Sequence, residues 1–94
     1  MLLGVNHRRS DIEIIADMLK VGKNGAGKTQ IMYSVNMSYS QLQKYLGYLV
    51  NEGFVETIKT GNAGAYYRMT GKGEKLLSLL GSVQEMLGLH EWAL

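Results

Sequence analysis

Apolar positions recur along the chain with a helical period at first, then alternate, then return to a helical period. Between Ser10 and Gly22, Ile12, Ile15, Ala16 and Leu19 recur at helical intervals, and Ile14 with Met18 widens the apolar face. Ser10 and Glu13 have capping-box spacing, so a helix is predicted to open at Ser10, with Gly22 as its stop. Lys23 to Gly27 reads as a glycine-rich loop. A short second helix follows, from about Thr29 to Val35, with Ile31, Met32 and Val35 apolar, and Asn36 with Met37 forms a turn. Ser38 and Gln41 repeat the capping-box spacing and open a third helix. Leu42, Leu46 and Leu49 form its core face, with Tyr45 and Val50 beside them, and Gly53 ends it.

The period then changes to two. Phe54 to Thr60 is rich in β-branched residues, Gly61-Asn62-Ala63-Gly64 is a turn cluster, and Ala65 to Met69 reads as a returning strand. Thr70 caps a last helix running from about Gly71 towards the C-terminus. The order is therefore helix, helix, helix, strand, strand, helix. The second and third helices with their tight turn have helix-turn-helix proportions, and a hairpin after the third helix is a wing. The expected fold is mainly α with a small β-hairpin (α+β), a winged helix-turn-helix over residues 10–70. An N-terminal arm occupies residues 1–9 and a C-terminal dimerisation helix residues 71–94.

Five stretches of the chain resemble the archaeal winged-helix regulators of the 10a type. They are Ile15-Ala16-Asp17-Met18-Leu19, Lys28-Thr29-Gln30-Ile31-Met32-Tyr33, Met37-Ser38-Tyr39-Ser40-Gln41-Leu42 with Tyr45-Leu46 and Leu49, Gly53-Phe54-Val55, and Thr70-Gly71-Lys72-Gly73. The resemblance implies a winged-helix fold, an antiparallel coiled-coil dimer through the last helix, DNA binding and no catalytic activity. The chain departs from that pattern in its last helix, which is short for an extended coiled coil and contains Gly81 and Gly88. Each interior glycine costs about 1 kcal/mol relative to alanine.

Composition narrows the functions further. Ninety-four residues make one domain, and 46% hydrophobic content is enough for a packed core. The absence of cysteine removes disulfides, thiolate zinc sites and cysteine nucleophiles together, and fits a reducing cytoplasm. No apolar run approaches the roughly 18 residues of a membrane span, and Met1 to Val5 is too short for a signal-peptide core. The expected location is cytoplasmic and nucleoid-associated. A net charge of +2 is mildly basic, so a nucleic-acid binder must concentrate its cations on one face.

One motif points elsewhere. Gly22-Lys23-Asn24-Gly25-Ala26-Gly27-Lys28-Thr29 fits G-x-x-x-x-G-K-[ST] at every fixed position. In a nucleotide-binding P-loop, successive amides cradle phosphates, the lysine reaches the outer phosphates and the threonine holds magnesium. That motif sits between a buried strand and a helix. Here it follows an amphipathic helix, and no downstream strand ends in an aspartate. It is read as a flexible connector plus the start of the second helix, with Lys28, Thr29 and Gln30 placed to meet a DNA phosphate.

In a helix-turn-helix, the N-terminal part of the second helix of the unit meets base edges. With Leu42, Leu46 and Leu49 inward, the outward stripe of the third helix is Ser40, Gln41, Lys44, Gly47 and Tyr48, with Gln43 and Asn51 at its sides. Glutamine pairs with adenine, and lysine with guanine or phosphate. No acidic residue lies between Ser38 and Asn51. Ser38 and Tyr39 lie at the helix start, with Tyr39 either core or contact and Tyr45 assigned to the core. The wing offers Lys59, Asn62 and Arg68 for phosphate or minor-groove contact, and His7-Arg8-Arg9 offers a basic arm.

In the last helix, Leu76, Leu80, Val83 and Leu87 follow the 4-3-4 spacing of a heptad seam, with Leu77, Leu79, Met86 and Leu89 on its flanks and Trp92 near the end. A helix this apolar needs cover on more than one side, the wing domain on one and a second protomer on the other. His7 and His90 suggest no metal. Neither a Ser-His-Asp grouping nor a paired carboxylate stands out, so no catalytic residue, cofactor or small-molecule ligand is expected. Three functions are compatible with this reading: a homodimeric DNA binder acting as a transcriptional regulator or chromatin protein, a winged-helix protein-interaction module without DNA binding, and nucleotide binding at Gly22 to Thr29.

Overall fold

The computed structural model describes residues 10–88. The chain folds as α1 (Asp11–Val21), α2 (Lys28–Val35), α3 (Tyr39–Asn51), β1 (Val55–Lys59), β2 (Ala65–Met69) and α4 (Gly71–Met86), in the order expected. The arm at 1–9, Leu89, His90 and Trp92 lie outside the described residues.

Local chemistry sets each helix boundary. The Ser10 hydroxyl accepts from the Glu13 amide at 3.2 Å and caps α1. Ser38 and Gln41 form a complete capping box at α3: the Gln41 amide donates to Ser38 Oγ, and the Ser38 amide donates to Gln41 Oε1. Both helices of the turn motif end in Schellman geometry. Asn36 takes a left-handed conformation after α2, with Met37 N–H reaching Met32 O and Asn36 N–H reaching Tyr33 O. Phe54 N–H to Leu49 O and Gly53 N–H to Val50 O close α3 in the same way.

The core collects one face from each helix. Leu19, Ile31, Val35, Leu42 and Leu49 are fully buried, and Ile14, Met18, Met37, Tyr45, Leu46 and Val55 pack around them. Each such aliphatic side chain contributes roughly 1.5–3 kcal/mol relative to exposure. Two assignments in α1 change. Ile12, expected on the core face, is 47% exposed, whereas Glu13 is buried at 9%. The apolar arc is correct, but its first turn extends past the elements that cover it.

β1 and β2 pair antiparallel, with Val55 opposite Met69, Glu56 opposite Arg68 and Thr57 opposite Tyr67. The expected first strand loses Phe54 and Thr60 from its ends. The loop expected to be a flexible connector is instead pinned to the wing. Ala26 is buried and exchanges two backbone hydrogen bonds with Tyr67, Ala26 N–H to Tyr67 O at 2.9 Å and Tyr67 N–H to Ala26 O at 2.8 Å. Before it, Gly25 holds φ at +98° with the Tyr66 ring 2.8 Å from where a Cβ would stand, so only glycine fits.

The junction into α4 ties the last helix to the end of α3. Thr70 caps α4 through the Gly73 amide, donates its hydroxyl to Gly53 O at 2.6 Å, and sends its own amide to Phe54 O at 3.0 Å. Lys72 Nζ donates to Glu52 O at 2.7 Å and lies 4.7 Å from the centre of the Phe54 ring. Gly73 is buried against this corner, where a Cβ would stand 2.1 Å from Phe54 O. Beyond it, Leu76 and Leu77 pack against the core. α4 ends earlier than its sequence suggests. Gly88, read as an interior glycine, takes φ +69° directly after the C-cap Leu87 and serves as a stop.

Candidate nucleic-acid interface

α3 is 13 residues long, about 20 Å at 1.5 Å per residue, enough to lie along a groove about 12 Å wide. Its leucines face inward at helical spacing, and this forces the remaining arc outward. Ser40, Gln41, Gln43, Lys44, Gly47, Tyr48 and Asn51 are all exposed. Tyr39, left open by the sequence, is 60% exposed, whereas Tyr45 is buried in the core. The Tyr45 hydroxyl donates to the Asp11 carboxylate and joins α3 to the first turn of α1. That hydrogen bond, with burial and the nearby negative charge, raises the Tyr45 pKa above its ordinary 10.0.

The side chains on this face differ in how free they are. The Lys44 ammonium lies 5.2 Å from the centre of the Tyr45 ring and is exposed to solvent. Ser38 and Gln41 are held in the capping box, where Gln41 Oε1 accepts from the Ser38 amide at 3.0 Å. A bidentate glutamine–adenine pair needs that oxygen together with the amide nitrogen, so to read adenine in this way Gln41 must use the second lone pair of an oxygen whose position the cap already fixes, or leave the cap. Its Nε2 donor has no such commitment.

On the wing, Lys59 and Asn62 are exposed at the tip side of the hairpin. Arg68 is exposed, but its guanidinium pairs across the strands with Glu56, Nε at 3.1 Å and Nη2 at 2.9 Å from the same oxygen. Part of its charge is therefore offset within the hairpin. At the start of α2, Thr29 and Gln30 are exposed and Lys28 is half-buried. The N-cap of α2 is Gly27, which provides no side-chain acceptor for the first amides.

The fold brings three of these regions together. Lys28, Gln43, Leu46, Gly47, Val50, Thr57 and Tyr67 line a groove of about 240 Å³ between α2, α3 and the wing. Thr57 and Tyr67 were not among the expected site residues, because their place depends on the strand register and on how the hairpin leans against α3. Tyr33 is a further exposed aromatic outside the expected site residues. It is 75% exposed on α2, and its position between Ile31 and Val35, off their shared face, is the signal that could have found it.

The nucleotide-binding string is built differently from a phosphate cradle. Its Gly25 amide is bonded to Gly22 O and its Ala26 amide to Tyr67 O, so two of the amides that would face phosphates point into the protein. Among the described residues no three His, Asp or Glu side chains are grouped to hold a metal, and no helix is long and apolar enough to cross a membrane.

Along α4, the expected seam is graded. Leu76 and Leu80 are half-buried by their own chain, whereas Val83 and Leu87 are exposed. Leu79 and Met86 extend the apolar strip, Met86 at 87% exposure.

Comparison with known proteins agrees with this architecture. A winged helix-turn-helix family model matches residues 8–88. The chain is 32% identical over 82 residues to an uncharacterized protein of Methanocaldococcus jannaschii, covering 86% of this chain and 79% of that protein. A second uncharacterized protein of the same organism is 36% identical over 81 residues, covering 85% of this chain but only 36% of its own longer length. Among solved structures, Sso10a-2, a DNA-binding protein from Sulfolobus solfataricus, superposes with a TM-score of 0.78 at 26% identity over 85% of this chain and 83% of that one. The resemblance to the archaeal 10a-type proteins seen in the sequence holds in three dimensions, and the chain belongs to the winged helix-turn-helix family.

Proposed function

We propose that this chain is a DNA-binding protein that acts as a homodimer, a transcriptional regulator or chromatin-associated protein of the cytoplasmic nucleoid. The observation that carries the proposal is the exposed face of α3. From Ser38 to Asn51 it presents serine, glutamine, lysine, tyrosine and asparagine to solvent with no acidic residue among them, on a helix held from behind by Leu42, Leu46 and Leu49. The similarity to Sso10a-2, itself a DNA-binding protein, points the same way.

In the proposed complex α3 lies in the major groove. Ser40, Lys44 and Tyr48 meet base edges or phosphates, and Tyr39 lies at the groove entrance. Lys28, Thr29 and Gln30 approach the backbone from α2, and Lys59, Asn62 and Arg68 do so from the wing. The exposed strip of Leu79, Val83, Met86 and Leu87, continuous with Leu80, is the surface on which two protomers join. Two recognition helices then bind one duplex, and the dimer sets their spacing.

A gel-shift titration with duplex DNA tests the reading. Because phosphate contacts dominate affinity, complex formation at low salt should weaken steeply as salt rises, and Lys44→Glu should abolish it. A chain that stays unbound at low salt, or a Lys44→Glu chain that binds as well as the wild type, would refute it.

A further inference from the structure

The groove of about 240 Å³ between α2, α3 and the wing has two kinds of wall. The apolar wall is Leu46, a buried core residue, with Val50 and Tyr67, both partly buried against that core. The polar wall is Lys28, Gln43 and Thr57. Lys28 is half-buried, and no carboxylate lines the groove. Among the described residues Lys28 has no acidic partner. A phosphate contact accounts for only part of this surface. Phosphate oxygens take cations and hydrogen-bond donors, and they leave Leu46, Val50 and the Tyr67 ring unused. An apolar lining with a few polar groups converging on it is the composition of a small-molecule site. The complement of the whole groove is a molecule with one anionic group and one flat apolar body.

We propose that this groove binds a small aromatic carboxylate, and that the bound carboxylate competes with DNA. The carboxylate pairs with the Lys28 ammonium, with the Gln43 amide and the Thr57 hydroxyl as further donors in the same groove. The ring lies against Leu46 and Val50 and meets the Tyr67 ring. The volume falls below the roughly 300–1,000 Å³ of sites for drug-sized ligands, which limits the occupant to one or two rings. The binding claim stands by itself, and the competition rests on the DNA-binding reading, in which Lys28 and α3 approach the duplex. A ligand here neutralises Lys28 and fills the space beside Gln43, so ligand and duplex exclude each other. The sequence alone leads to no expectation of a small ligand, because Thr57 and Tyr67 come beside Lys28 and Leu46 only once the strand register and the helix packing are set.

Amide NMR spectra of the full chain, titrated with benzoate, benzamide and acetate, test the binding. Benzoate should shift the amides of Lys28, Gly47, Val50, Thr57 and Tyr67 saturably, with a Kd of about 1 mM or lower. Benzamide lacks the charge and acetate lacks the ring, so each should bind at least about tenfold more weakly, as should benzoate to Lys28→Gln. In gel shifts, benzoate at about ten times its Kd should weaken duplex binding by the wild type about tenfold beyond an equal concentration of acetate, which matches the salt. For Lys28→Gln, benzoate and acetate should act alike. A wild type that binds duplex DNA but shows no saturable benzoate shifts overturns the inference alone. Acetate binding as tightly as benzoate also overturns it, because the site then takes any anion. Benzoate that binds without weakening the duplex complex overturns the competition. A wild type that binds benzoate at these residues and no duplex supports the ligand site, and overturns the DNA-binding reading and the competition with it.

Discussion

Two glycines of α4 should respond to the same substitution with opposite signs. At Gly73 an added methyl would stand 2.1 Å from the Phe54 carbonyl oxygen and 2.9 Å from Met69 Cγ. The Met69 side chain can move, but the Phe54 carbonyl is backbone, fixed by accepting the Thr70 amide. Relief requires α4 to move away by about 1 Å, to the edge of real Cβ contacts. That shift strains the hydrogen bonds from Thr70 to Gly53 O and Phe54 O and from Lys72 to Glu52 O. Overpacking of this kind costs about 1–3 kcal/mol, and each hydrogen bond lost adds about 1 kcal/mol. The gain in helix propensity returns at most about 1 kcal/mol. The net expectation for Gly73→Ala is a loss of about 2–4 kcal/mol, a fall in Tm of about 10 °C or more for a domain of this size. At Gly81 a Cβ meets nothing within 4 Å, so Gly81→Ala should gain about 1 kcal/mol and melt about 4–8 °C higher. Thermal unfolding followed by circular dichroism reads both. If Gly73→Ala melts as high as the wild type or higher, the close contact between α4 and the start of β1 is wrong.

Other consequences concern the core, the cap and the seam. Tyr45→Phe removes the hydrogen bond to Asp11, whose exposed carboxylate regains water, so denaturant unfolding should show a loss of about 1 kcal/mol. Because the folded state raises the Tyr45 pKa, the unfolded chain loses that proton first. The Tyr45 contribution to stability should therefore be fully present well below pH 10 and be lost as pH rises through 10, a loss that Tyr45→Phe lacks when melts of the two are compared across alkaline pH. Ser38→Ala breaks the capping box and should cost about 1 kcal/mol in the same unfolding assay. Val83→Glu places a charge in the proposed seam, so sedimentation should show a dimer for the wild type and a monomer for the variant; a variant that dimerises as the wild type does would move the interface elsewhere.

Much of the fold was legible because its signals are local. Ser10 and Ser38 announce two helix starts through capping-box spacing, Thr70 announces a third by its residue type after the hairpin, and the leucines of α3 fix which face is buried before any tertiary contact is known. The exposed stripe of the candidate site followed directly from that face. What the sequence did not disclose depends on partners far along the chain. Ala26 forms a bridge one residue long, which leaves no periodicity to read, and its partner Tyr67 is assigned only once the hairpin register exists. The pairing of Arg68 with Glu56 follows from that same register. Gly73 looks like any helix glycine until the Phe54 carbonyl is placed beside it. Leu87 and Gly88 fit a helix interior by sequence because the apolar period runs on through the stop. Gln41 fits both a cap and a base contact by sequence, and only the bond from the Ser38 amide to its Oε1 shows that the cap holds it.

The central claim is that the exposed polar face of α3 meets duplex DNA, and backbone amide chemical-shift mapping tests it residue by residue. On addition of a short duplex at low salt, the account predicts that the largest shifts fall at Ser40, Lys44, Gly47 and Tyr48, with smaller ones at Lys28 and along the wing. Shifts confined to α1 or to the Val83 side of α4, with α3 silent, would contradict it.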